Sequence, residues 1–501
     1  MTGQPLRVPF IIYSQPLYRR SLLRVKDIAS HPMILIICMQ FVIVLSLVLA
    51  SRRSLENALP IFSFFLVLMP LEARLVIPGL FDFNTMRVSL LTLLVLYIYH
   101  GRGTSDDAPL PLKSLILLHV SWAVYSTIYS LSVATSSKQL ISQVVEYYLL
   151  YFLVVRTITK VSTIYNIVFA IVMAMGICSM FGVVEVYARW SILRIFPQNL
   201  WITYNGGVDP LYIEWGRGLR IRSTFPHPIL FGDALAMSIP LTLYLLSIWE
   251  RRRDRILLWM SLVLMFWAIY KTSSRGPWIA TVLCGALLFI MVRNRVRTYL
   301  LVIALMATAV LVIRPGVWAT IAGLYQSSTD ASSPVGSSYL YRDALNNAVK
   351  SAVGKEPGRA LLGYGLGTFR ELGLDINFLN TVQRWYTCDN NWALFLYETG
   401  YVGLFLIAAL LFAALWIAFR TYWQLPPPES YFSAVIFISL SGFYFLLLSV
   451  AGYSWGQQGY MAWILISIAV SYSHIALQDD DEQAEDEEGR SLEEQYELYI
   501  A

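Results

Sequence analysis

Among the 501 residues, the side chains best placed for chemistry are arginines and carboxylates at the margins of long apolar stretches. Arg275 lies in Lys271-Thr272-Ser273-Ser274-Arg275-Gly276-Pro277-Trp278, where Gly276 and Pro277 suit a helix start because proline is favoured in the first turn. A helix N-terminus presents free N–H groups and positive dipole to an anion, and an arginine there can add a bidentate grip on a diphosphate. An interfacial arginine that snorkels to lipid headgroups is the equally weighted alternative. Arg342, in Tyr339-Leu340-Tyr341-Arg342-Asp343-Ala344, opens a loop helix and reads as an anion ligand or as half of a surface ion pair. Asp389, in Cys388-Asp389-Asn390-Asn391-Trp392, stands where a long polar loop runs into an apolar stretch. A carboxylate in such a partly dry place can act as a general base, or serve as a helix cap. Glu398 follows nine residues later, about half a turn out of phase on one helix, and makes a poor acid/base partner for Asp389.

Weaker signals surround these. In Phe225-Pro226-His227-Pro228, preceded by Arg220 and Arg222, a histidine between prolines reads first as a turn residue. Leu362-Gly363-Tyr364-Gly365-Leu366-Gly367-Thr368-Phe369 lacks the lysine of a phosphate-binding P-loop, and glycines that permit a tight turn explain it. Glu146 and Asp233 fall inside apolar runs, where carboxylates are functional by default. Cys38, Cys178, Cys284 and Cys388 show no CxxC spacing, and five scattered histidines make a metal site an unfavoured reading.

The elements that must position these residues are membrane helices. Apolar residues make up 57% of the chain and charged residues 14%, against about 45–50% and about 25% in soluble domains. A hydrocarbon core of about 30 Å needs about 20 apolar residues per helix. Stretches that meet or approach this lie near 33–50, 59–77, 86–100, 113–132, 138–156, 163–185, 228–249, 254–271, 276–293, 298–314, 401–420, 430–450 and 456–476. The expected architecture is an all-α polytopic bundle of about 12–13 spans, with a membrane domain over 33–476. Residues 1–32 form a basic N-terminal segment, with Arg7, Arg19, Arg20, Arg24 and Lys26 and no cleavage signal. Loops are expected over 186–227 and 315–395, the second carrying a helix because Leu340, Ala344, Ala348 and Ala352 recur at i+4.

Charge orients the bundle. Asp479–Glu497 holds eleven of the 32 acidic residues, so a net charge of +5 conceals a basic remainder and a solvated acidic tail over 477–501. Arg251, Arg252, Arg253 and Arg255, and then Arg293, Arg295 and Arg297, mark two inner loops. Alternation from these places 186–227, Arg275 and 315–395 on the outer side and the tail inside. Thirteen spans then put the basic N-terminal segment outside, against the charge rule. Either one helix is miscounted or the first stretch does not cross.

The motifs Arg222-Ser223-Thr224-Phe225-Pro226-His227-Pro228, Ser274-Arg275-Gly276-Pro277-Trp278, Tyr341-Arg342-Asp343-Ala344, the glycine-rich segment from Leu362 and Asp389-Asn390 with Glu398-Thr399-Gly400-Tyr401-Val402-Gly403 come in this order. Together, over roughly 215–405, they resemble the O-antigen ligase/polymerase superfamily of bacterial inner-membrane glycosyltransferases. The resemblance implies a polyprenyl-diphosphate-linked glycan donor held by Arg275 and Arg342, with Arg222 as a third candidate diphosphate ligand. It implies a glycan or lipid acceptor, surrounding membrane lipids, no nucleic-acid partner and no cofactor or metal. His227, Trp278 and Glu398 are further candidates for substrate contact. In the ligases a His-Asn pair opens the last motif and the histidine is the proposed base; here Asp389-Asn390 stands in its place. That departure turns the expectation from ligation toward polymerisation of polysaccharide repeat units. Ligation of finished polymer is the alternative, and a transporter or flippase is the reading from another class. Transporters characteristically show internal repeats, and none is evident. Trp201, Tyr204, Tyr212, Trp215 and Trp385 suit sugar stacking or, for most of them, an interfacial belt.

Overall fold

The computed structural model describes residues 32–75, 82–100, 109–196, 210–214, 218–314, 334–378 and 381–500, with isolated positions between 316 and 323. Each of the thirteen apolar stretches corresponds to a helix. These are α1 (Pro32–Ser51), α2 (Ala58–Leu68), α3 (Thr85–Tyr99), α4 (Lys113–Ile128), α5 (Val133–Gln143) continued through a π turn (Val144–Leu149) into α6 (Leu150–Thr157), and α7 (Val161–Tyr187). They continue with α8 (Pro228–Ile248), α9 (Arg252–Lys271), α10 (Arg275–Met291) and α11 (Arg295–Ile313). The loop region holds α12 (Pro334–Gly354), α13 (Pro357–Leu362) and α14 (Thr368–Leu372), and the bundle closes with α15 (Asn391–Gln424), α16 (Glu429–Leu446) and α17 (Gln457–Ile500). Among the described residues eight helical stretches are long and apolar enough to cross a membrane, and Leu55–Leu68, Thr85–Tyr99 and Arg275–Met291 are shorter apolar helices. The chain is an all-α polytopic bundle. Its described strands form only two-stranded antiparallel hairpins in loops: β1 (Arg74–Leu75) with β2 (Phe83–Asn84), β3 (Tyr212–Glu214) with β4 (Gly218–Arg220), and β5 (Leu374–Phe378) with β6 (Thr381–Trp385).

One expected span is cut short. The stretch 59–77 is helical only to Leu68, because Pro70 drives the residue before it out of the helical region and Met69 is extended (ψ 131°). At the centre, α8 is buried on almost every side, as expected of a helix that is apolar all round. It packs on α7, α9, α10 and α16. By contrast α11 exposes most of its apolar surface, as a helix that faces lipid does.

Two ends can be told apart by the bonds that tie loops together. At one end Gln457 Nε2 donates to Met69 O and Thr224 O, and the Asn391 N–H donates to Leu447 O. At the other, Asn294 Nδ2 donates to Ser247 Oγ and the Thr159 hydroxyl to Glu56. The arginine-rich loops lie at this second end. The helix α1 packs Ile36, near its start, with Ala73, Leu193 and Phe196; midway along it Gln40 Nε2 donates to Ala73 O, and at its finish Ser51 O receives a bond from the His100 ring. It is long and apolar enough to cross with the others, and residue 32 lies at the end that carries Arg275. The basic residues from Arg7 to Lys26 lie outside the described residues, as do the side chains of the acidic tail beyond Gln478.

The glycine-rich segment serves a break in α15. Gly400 adopts a left-handed φ of 68° and interrupts the helical ladder. The carbonyls this frees are taken up by the glycine-rich loop and α4: Tyr397 O and Glu398 O accept the N–H groups of Tyr364 and Gly365, each at 2.9 Å. Thr399 O accepts Trp122 Nε1. A β carbon on Gly400 would meet Leu361 O at 2.1 Å. Gly400→Ala is therefore expected to destabilise the fold by at least the about 1–3 kcal/mol of a strained backbone, read as a lower unfolding temperature in detergent; an unchanged value would remove this account of the loop.

Candidate functional site

The site is built from the turn that reverses α9 into α10. Three residues make the reversal: Thr272, Ser273 with a left-handed φ of 48°, and extended Ser274. A tight non-glycine turn of this kind needs outside support, and Arg220 supplies it. Its side chain, 2% exposed, donates to Thr272 O (2.9 Å) and Ser274 Oγ (2.8 Å) and pairs with Glu214 across the β3–β4 hairpin. This fixes the start of α10, where Arg275 is the first helical residue and Pro277 completes the first turn. Arg220→Gln is expected to cost about 1–3 kcal/mol, the penalty for leaving such buried acceptors and donors unpaired, measured as a fall in unfolding temperature that Arg220→Lys restores only in part.

Arg275 is half-buried and has no hydrogen-bond or ion-pair partner among the described residues. Its charge and that of Arg342 are close enough to repel. Arg342 comes from α12 and donates to Ser449 O (3.3 Å) in the α16–α17 loop. Gly276 lies against the same serine, its hypothetical β carbon 3.3 Å from Ser449 Oγ. Ser449 thus stands between the two arginine-bearing elements. Like charges brought together at a partly exposed position favour an anion between them.

Asp389 completes the cluster. Its carboxylate lies 4.0 Å from the Arg342 guanidinium, an ion pair too long to be a hydrogen bond. Burial pushes the Asp389 carboxyl above the usual carboxylate range, and Arg342 opposes that rise. The capping role falls to Asn390, whose Oδ1 accepts the N–H groups of Trp392 (3.0 Å) and Ala393 (3.3 Å) at the start of α15. Asn390 Nδ2 donates to Asn346 Oδ1 (3.0 Å), one turn along α12 from Arg342. Asn391 is wholly buried, and its Oδ1 takes the Tyr453 N–H (2.9 Å). Asp389 is left with a partly exposed carboxylate beside a cation, free of any cap. A group so placed can accept a proton from a hydroxyl presented to it.

The loop helix that carries Arg342 has the expected four-residue period but a rotated face. Tyr341, Leu345, Val349 and Val353 are buried, Ala344 and Ala348 only partly, and Leu340 is exposed. Of the small residues read from the sequence, Ala352 joins the packed face while Ala344 and Ala348 flank it. Trp385 packs on Tyr341, ring centroids 4.4 Å apart, so this aromatic supports the loop helix. Trp201, Tyr204 and Trp215 lie outside the described residues.

Other candidates stand apart from the Arg275–Arg342–Asp389 cluster. His227 caps α8, its Nδ1 accepting the Ile229 N–H (3.1 Å), while Nε2 meets the Tyr212 hydroxyl at 3.0 Å. Arg222 donates to Pro226 O, and its backbone N–H is held by Glu185. Burial raises the carboxyl of nearby Glu72, against the pull of Arg222 and Arg74. These residues form a shelf joined to the cluster through Arg220 and through the bond from the Ile221 N–H to Lys271 O. Trp278 lies stacked on Tyr270 with its Nε1 bonded to Ile269 O, bracing α10 against α9. Glu398 accepts the Gly367 N–H (2.9 Å) and belongs to the α15 break. Glu146 sits in the π turn, paired with Arg87 (2.6 Å) and the Tyr460 hydroxyl (2.7 Å). Among the described residues no three His, Cys, Asp or Glu side chains form a metal-binding group.

Asn346 and Ser449 were not singled out from sequence. Asn346 is legible in retrospect, being four residues from Arg342 and on the same helix face. Ser449 contributes a backbone carbonyl, for which no residue type is a signal.

No curated protein matches the chain. Residues 260–408 match the family model described as O-Antigen ligase, a span that contains Arg275, Arg342, Asp389 and Asn390. That match makes this stretch of the chain similar to the O-antigen ligase family.

Proposed function

We propose that this membrane enzyme of polysaccharide processing transfers a polyprenyl-diphosphate-linked glycan to an acceptor hydroxyl, using the Arg275–Arg342–Asp389 cluster. The observation that carries the reading is that Arg342 stands between the Asp389 carboxylate, 4.0 Å away, and a second arginine, Arg275, whose charge it repels, at a single loop-bearing end of the bundle. The Asp389 carboxylate takes the proton of the acceptor hydroxyl as its oxygen forms a bond to the anomeric carbon. The bond from that carbon to the diphosphate oxygen breaks, and its electron pair leaves with the lipid diphosphate. Arg275 and Arg342 meet the charge that develops there, so the role often given to a metal falls to guanidinium groups. Attack opposite the leaving group inverts the anomeric configuration. Arg342, which touches both Asp389 and Ser449, would hold base and leaving group in register.

The arginine-rich loops at the opposite end favour placing the cluster on the outer face of a bacterial inner membrane. Polymerisation of O-antigen or exopolysaccharide repeat units is the reading favoured by Asp389 at the position where the ligases carry histidine. Comparing lipid-linked glycans in a deletion strain and in the complemented strain tests it. Single repeat units should accumulate and long chains vanish without the protein. Finished polymer left on its carrier would make the enzyme a ligase, and an unchanged profile would refute both.

A further inference from the structure

The segment that carries Asp389 is tied to α12 at two points. The Tyr341 hydroxyl donates to Thr387 O (3.2 Å), and Asn390 Nδ2 donates to Asn346 Oδ1 (3.0 Å). Tyr341 and Asn346 lie on either side of Arg342 along the helix, and Thr387 and Asn390 on either side of Asp389 along the loop. Arg342 and Asp389, 4.0 Å apart, therefore meet between two fixed points.

Both ties are themselves oriented. Tyr341 is buried and its ring packs on Trp385, so the small core of the loop region aims the hydroxyl. At the other tie the start of α15 sets the direction. Asn390 Oδ1 is taken by the N–H groups of Trp392 and Ala393, so only its Nδ2 is left to turn toward α12. Asn346 must meet that donor with an oxygen, as it does. The ion pair, by contrast, does not hold its own geometry. A partly exposed pair at this separation contributes little binding.

We propose that Asn346 and Tyr341 are positioning residues that set the distance of the Asp389 carboxylate from Arg342, and through it the place of the base beside the leaving group. The inference rests on the proposed role of Asp389 as the base, and neither residue needs to touch the substrate.

The test is transfer from a lipid-linked donor by reconstituted full-length protein, followed across pH. Asn346→Leu and Tyr341→Phe should each lower the rate by about threefold to tenfold, within the about 10²-fold that a 1 Å misplacement can cost. The double variant should lose more than the product of the two, because a segment pinned twice keeps much of its place when one tie is lost. The acidic limb should move to higher pH in Asn346→Leu and further in the double variant, since Asp389 parts from the cation that opposes the rise of its pKa. A mere loss of folded protein would lower the rate at every pH and leave the limb in place. Asn346→Asp keeps the oxygen acceptor and should recover transfer at alkaline pH, where Asp389 is ionised despite the added charge. The neighbouring Asn347 donates to Asp343 on its own helix, and Asn347→Ala should behave like the wild type.

If the double variant does not fold, the limb of Asn346→Leu and its recovery by Asn346→Asp decide the matter. An Asp389→Asn protein as active as the wild type would end the reaction scheme itself. An inactive Asp389→Asn protein beside an Asn346→Leu variant that transfers like the wild type, or that slows with its limb unmoved, would leave the reaction standing and overturn the positioning role.

Discussion

Replacing Asp389 by alanine or asparagine should lower glycan transfer by about 10²–10⁴-fold, the range for loss of a positioned general base, while leaving the protein folded. The expectation of a folded variant follows from what Asp389 does not do. The cap of α15 is made by Asn390, and the closest charge to Asp389 is an Arg342 nitrogen 4.0 Å away. Removing the carboxylate leaves Arg342 its bond to Ser449 O and relieves a charge held partly out of water. Asparagine keeps the shape but cannot accept the proton, so it should be as impaired as alanine. Transfer by reconstituted protein from a lipid-linked donor is the measurement. Undiminished transfer by a well-folded Asp389→Asn protein would remove the base from the mechanism.

Arg342→Gln should reduce the rate by about 10²–10³-fold, as expected when one charged donor to a developing anion is lost, and should also change the pH profile. A base works in its ionised form, so activity falls as pH drops through the Asp389 pKa. Burial holds that pKa above the ordinary range, so the acidic limb of the wild type should lie above that of a solvated aspartate. Arg342 is the cation that pulls it down, and without Arg342 the limb moves to higher pH. Arg275→Gln should lose rate on the same scale with the limb unmoved, because Arg275 acts on Arg342 rather than on Asp389. If both variants shift the limb equally, or neither does, the division of labour between the two arginines is wrong.

What the sequence determined by itself was the frame. Every stretch of apolar residues became a helix, since continuous apolar runs approaching about 20 residues satisfy their backbone in lipid within the segment itself. The exception in detail, the end of α2 at Leu68, was also written locally, in Pro70. Arg275 at a helix start, Arg342 on a loop helix and Asp389 before a helix were legible because termini are set by neighbouring residue types. Which of two adjacent polar residues capped α15 was not legible. Both Asp389 and Asn390 suit the position, and only the backbone path gave it to Asn390 and left Asp389 facing Arg342. The helix α12 was legible from its four-residue period, but its exact packed face was not, for a related reason. A four-residue period fixes that a stripe exists, while the partner surface, here Phe369, Ile376 and the first turns of α15, selects which stripe is buried.

Distances between loops were the part that only the tertiary structure could decide. Arg220 reads like any arginine in a polar loop, yet its guanidinium is buried under the Thr272–Ser274 turn and, by bonding Ser274 from 54 residues away in sequence, fixes the start of α10 at Arg275. The glycine-rich segment looked like a turn, and its use, satisfying carbonyls freed at Gly400, depends on α15 breaking at its side. Tyr341 and Asn346 hold the segment before α15 only because packing brings α12 beside it. Local residue types set helices and their ends through short-range sterics and capping. The packing of those helices alone set which carboxylate met which cation.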